Sequence, residues 1–108
     1  MIKQNQASAF VRRSLTATEI VARLATPEGW TLTGDEASVA IEKTFVFDDY
    51  YKTLSFVNAV AFIAHKQNHH PDLLVQFSRC VIRFNTHDVG GISVTDFDCA
   101  ALVDTLAT

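Results

Sequence analysis

One helical stretch divides this chain and restricts what can surround it. Tyr50, Leu54, Val57, Ala61 and Ala64 recur at three- and four-residue intervals, and Phe56, Val60 and Ile63 widen the stripe. That spacing places them on one helix face. Asp48 or Asp49 can cap the start. Pro71 forces a stop, because a residue before proline avoids helical angles, so the helix should end near Asn68. On each side, strand patterns come in adjacent pairs without a helical crossover. Trp30 and Leu32 start a short strand, Gly34-Asp35 turns, and Val39 to Phe47 alternates as a second. Leu73–Phe77 and Cys80–Phe84 follow the helix, with Ser78-Arg79 as a tight turn between them. Strands joined this closely must run antiparallel.

The chain ends complete the order. Thr18 to Ala25 reads as a short helix with Ile20, Val21 and Leu24 on one face, capped by Thr16 or Thr18 and ended by Pro27 and Gly29. After Gly90-Gly91, Ser93 and Asp96 stand in capping-box spacing ahead of Phe97, Ala100, Ala101, Val103 and Leu106. The expected fold is α+β: a four-stranded antiparallel sheet with three helices packed on it, in the order α-β-β-α-β-β-α.

With 108 residues, one domain is expected, over 14–108, behind a flexible arm at 1–13. Arg12-Arg13, the only basic pair, reads as part of that solvated arm. A net charge of −3 argues against direct nucleic-acid binding. Met1 to Ser8 lacks the apolar core of a secretory signal, and no run reaches the roughly 20 apolar residues that span a bilayer. A cytoplasmic protein without membrane contact is expected, with Cys80 and Cys99 as buried thiols. The outer stripe of the long helix, Lys52, Ser55, Ala59, Phe62 and Lys66, is apolar in its middle, which calls for cover by another subunit.

All four histidines fall around two turns. His65, His69 and His70 close the long helix, and His87 opens the Gly90-Gly91 loop. His65 and His69 could share a metal with His70 and His87, but no carboxylate or thiolate stands at a familiar zinc spacing, so no metal is expected. Cys80 beside a histidine could be a nucleophile, yet its strand setting favours an inert core thiol. Acid–base chemistry remains, and imidazole suits it near neutral pH. The alternative is structural: His65 exposed on the helix, His70 a helix cap, His87 a surface loop residue.

These residues also carry a resemblance. His65 is followed, after three residues, by His69-His70-Pro71; Phe77 comes after five more, His87 after a further nine, and Asp96 after a further eight. With Asn68, Asp72, Thr86 and Ser93 around them, residues 15 to 106 resemble the pterin-4a-carbinolamine dehydratases, a family also described as dimerisation cofactors. The resemblance implies loss of water from a 4a-hydroxytetrahydropterin, giving the quinonoid dihydropterin in tetrahydrobiopterin recycling, with no cofactor and the pterin as substrate. It implies His69 and His87 as proton-transfer groups and His70 as a third catalytic residue that binds or shares the work. Asn68, Asn85, Thr86 and Asp88 would hold the pterin, with His65, Pro71 and Asp96 in support. It further implies a homodimer or homotetramer through the 49–67 helix and a sheet edge. Two positions depart from the family pattern: His65 replaces a common carboxylate partner of the site, and Leu73 a large aromatic wall. The competing function is a non-catalytic assembly or dimerisation factor on the same fold. The intact histidine set favours the enzyme.

Overall fold

Thr16 opens the first helix. Its hydroxyl accepts the Glu19 N–H at 3.2 Å, and the Glu19 carboxylate accepts the Thr16 N–H at 2.9 Å. This reciprocal pair satisfies two amides that a helix start leaves free, and α1 runs Ala17–Leu24. The computed structural model describes residues 12–25, 28–34 and 38–107. Within them follow β1 (Thr31–Thr33), β2 (Ala40–Val46), α2 (Tyr50–Gln67), β3 (Asp72–Val75), β4 (Arg79–Phe84), a 3-10 turn (His87–Val89) and α3 (Val94–Leu106). The fold is α+β in the expected order. Most of the expected N-terminal arm, together with Pro27 and Asp35, lies outside the described residues.

The sheet order is β1-β2-β4-β3, with every pairing antiparallel. Ile41 faces Phe84 and Phe45 faces Cys80 across the central pair. Side chains alternate across a sheet, so Ile41, Phe45, Cys80, Ile82 and Phe84 share one buried face. Ile20 of α1, Phe56 and Val60 of α2, and Phe97, Ala100 and Val103 of α3 join them in one core. The helices therefore cover one side of the sheet. On the other side Thr44, Val46 and Leu74 stand exposed.

Three local readings shift. First, α2 buries Thr53, Phe56, Val60 and Ala64, whereas Tyr50 is half exposed and Ala61 exposed. Thr53 can face inward because its hydroxyl donates to the carbonyls of Asp49 and Phe77, each at 3.0 Å. Second, β3 stops at Val75, and Phe77-Ser78 form the turn, closed by the Gln76 N–H on the Arg79 carbonyl at 2.8 Å. The Val75–Cys80 pairing dictates this, ending the strand two residues and placing the turn one residue earlier than expected. Phe77 leaves the strand and stacks on Tyr50, ring centroids 6.2 Å apart. Third, Arg12 and Arg13 are paired rather than simply solvated: Arg12 with Asp88 at 3.8 Å, and Arg13 with Glu19 at 2.7 Å.

Candidate active site

The end of α2 creates the site. Asn68 takes the left-handed conformation, φ 51° and ψ 44°, which asparagine tolerates better than most residues. The His69 N–H then reaches back to the Ala64 carbonyl at 3.1 Å. This reversal sends His69 into the core, where it is 6% exposed. His70 points outward beside it. The His69 ring lies nearly parallel to Phe84, 8° between planes and 6.0 Å between centroids.

A buried carboxyl group meets it. His69 Nε2 lies 2.6 Å from Asp96 Oδ1, and Asp96 is 0% exposed. The other oxygen, Oδ2, accepts the Ser93 N–H at 2.9 Å, as the capping-box spacing leads one to expect. Oδ2 also accepts the Thr86 hydroxyl at 2.7 Å. Asp96 is thus cap and histidine partner at once. The carboxylate bonded to His69 thus comes from α3, and His65 itself is exposed. Sequence spacing marked Asp96 as a cap, but nothing local indicated its bond to a ring 27 positions away.

Thr86 ties the second turn to this pair. Its backbone N–H donates to the Gly91 carbonyl at 2.8 Å, closing the loop that carries His87. Gly91 also lies close against the segment before α1: a Cβ there would sit 2.7 Å from Ser14 Oγ. Next door, the Leu15 N–H donates to the Ile92 carbonyl at 2.7 Å. Thr86 was expected to bind substrate. With 1% exposure and its hydroxyl engaged inward, its side chain is unavailable to a ligand.

The remaining expected residues are distributed as follows. His70, His87, Asp88 and Asn68 are exposed, and Asn85 and Pro71 half-buried. Leu73 lines a groove of about 370 Å³ with Leu74, Val81 and Arg83, and no histidine lines it. A second groove, of about 750 Å³, runs between α1 and α3 beside Phe97 and Asp104, again without a histidine. Among the described residues, no three His, Cys, Asp or Glu side chains converge to hold a metal ion. Cys80 and Cys99 are free and fully buried. Burial raises both thiols, Cys99 to about 11 with added repulsion from Asp96 and Asp98. Neither suits a nucleophile.

The family model for pterin 4 alpha carbinolamine dehydratase matches residues 13–106. The chain belongs to this dehydratase family. A protein of Paracidovorax citrulli, named as a candidate pterin-4-alpha-carbinolamine dehydratase, is 61% identical over 106 residues, covering 98% of this chain and 91% of that protein. One from Xanthomonas campestris, with the same name, is 60% identical over 75 residues, 69% of this chain and 62% of its own length. Among solved structures, a transcriptional coactivator/pterin dehydratase from Brucella melitensis superposes with a TM-score of 0.83 at 26% identity, over 89% of this chain and 100% of that one. A pterin dehydratase-like protein, described as a RuBisCO assembly factor in the alpha-carboxysome, superposes with a TM-score of 0.63 at 25% identity, over 74% of this chain and 90% of that one. Among the described residues, no helix of this family member is long and apolar enough to cross a membrane.

Proposed function

We propose that this chain is a 4a-hydroxytetrahydropterin dehydratase, a hydro-lyase acting in tetrahydrobiopterin recycling. The observation that carries the reading is the buried His69–Asp96 pair at the end of α2, beside His70 and tied through Thr86 to the turn of His87. Carboxylate-oriented imidazole is the arrangement general acid–base chemistry uses. The family membership supplies the substrate class.

The reaction is balanced without a cofactor. The C4a–O bond breaks as the N5 lone pair forms C4a=N5. The departing hydroxyl takes a proton and leaves as water, and the N5 proton passes to a base. His69 and His87 are assigned these two transfers, and His70 binds the pterin or shares the work. Asn68, Asn85 and Asp88 offer polar contacts at the rim. We assign the reaction to the cytoplasm, where thiols such as Cys80 and Cys99 stay reduced. Stopped-flow absorbance tests the reading. Enzymatically generated 4a-hydroxypterin should decay faster with this protein than without it, and equal decay would reject the enzyme.

A second reading has one observation in its favour. Phe62 is 63% exposed and Tyr51 79% exposed on α2, a surface suited to a protein partner. If no carbinolamine is consumed, an assembly factor becomes the better assignment.

A further inference from the structure

Ser93, Thr86, Asp96 and His69 form one hydrogen-bonded line, none more than 6% exposed. The positions of its protons follow from counting. The Thr86 hydroxyl has one proton, and it goes to Asp96 Oδ2 at 2.7 Å. Ser93 Oγ lies 2.6 Å from Thr86 Oγ1, so the Ser93 hydroxyl must donate to Thr86. Oδ2 also holds the Ser93 N–H. Two donors therefore pin one carboxylate oxygen, and the carboxyl plane cannot rotate without breaking both. Oδ1 is left facing the His69 ring at 2.6 Å. The line is buried, so a member that loses its partner is left with an unpaired polar group.

We propose that Thr86 and Ser93 are positioning residues that fix the tautomer of His69 through Asp96. In the neutral ring Nε2 carries the hydrogen and donates it to Oδ1, and the lone pair falls on Nδ1. Among the described residues Nδ1 has no hydrogen-bond partner. Nδ1 is thus the nitrogen that trades a proton with the substrate. Each time it returns that proton, the ring relaxes to the same tautomer. The kinetic part of this assignment rests on the dehydratase reading, but the tautomer does not.

Long-range proton–nitrogen NMR on uniformly ¹⁵N-labelled protein reads the tautomer directly. Wild type should show His69 with a protonated Nε2 and a lone-pair shift at Nδ1. Thr86→Val, which removes the hydroxyl and keeps the shape, should give a mixed pattern. Its kcat should fall about tenfold, the worth of one hydrogen bond to a charged group, with KM little changed. Thr86→Ser should restore both readouts. Should Thr86→Val fail to fold, Ser93→Ala carries the test, with a smaller shift in the same direction. A wild-type ring protonated on Nδ1, or a folded Thr86→Val protein with an unchanged ring pattern, overturns the inference. A rise in KM alone would return Thr86 to a substrate-binding role and overturn it too. An inactive wild type with the Nε2–H pattern would remove the dehydratase reading and leave the tautomer assignment standing.

Discussion

His69 is useful because one ring nitrogen is held by Asp96 while the other has no hydrogen-bond partner among the described residues. In the proposed reaction, His69→Ala and His87→Ala should each lower turnover, by about 10²–10⁴-fold for at least one of them. The double variant should lose less than the product, since both groups serve one transition state. Steady-state rates on the carbinolamine check this, and activity surviving both changes would reject the residue assignment. His65→Ala should do little, because Asp96 already orients His69. The histidine spacing, the capping box and the burial of both cysteines were all legible as sequence. The His69–Asp96 bond was not, because it joins the end of one helix to the start of another and no local pattern encodes it.

Cys99 offers a test of the core at the same scale. Burial holds its thiol up to about 11 against an ordinary 9.0. A raised acid favours the fold while it stays neutral. Its contribution is therefore intact below pH 9 and declines as pH climbs toward 11, by on the order of 2 kcal/mol. Denaturant melts across that window should show the loss, and Cys99→Ser should reduce it, leaving the share that belongs to Cys80. A profile unchanged by that substitution would contradict the assignment.

At the level of elements, α2 and its reversal govern where the histidines go. Asn68→Gly should keep or slightly raise thermal stability, since glycine adopts the left-handed angles freely. Asn68→Val should lower it by about 1–2 kcal/mol. Thermal unfolding separates the two. If Asn68→Gly folds normally but binds pterin weakly, the Asn68 side chain is a substrate contact as well as a cap. Element order was readable because each stretch has a clear period and a clear stop. Misplacements arose where tertiary contacts decided: Thr53 turns inward because two carbonyls await its hydroxyl, and Phe77 leaves its strand because the β3–β4 register closes before it.

Across the whole molecule, the helices cover one side of the sheet, β1 and β3 are left as edges, and Phe62 stands exposed on the outer stripe of α2. Burying a phenylalanine stabilises by about 1.5–3 kcal/mol, so association through this stripe is the expected outcome. Sedimentation at micromolar concentration should find an oligomer, and Phe62→Glu should shift it toward monomer without changing the circular dichroism. A monomeric wild type would contradict this.

The chain has a single tryptophan, and its position makes the protein its own optical reporter. Trp30 is 3% exposed, with its indole N–H donating to Asp104 at 3.0 Å. Its ring lies 5.9 Å from Phe84, whose other neighbour at 6.0 Å is the His69 ring. Native emission should therefore be blue-shifted and should move red on unfolding. An oxidised pterin absorbs where indole emits, so one bound beside His69 should quench Trp30 by energy transfer. Binding could then be titrated by fluorescence in unlabelled protein, and a variant that loses turnover could be sorted at once into one that no longer holds its ligand and one that holds it without reacting.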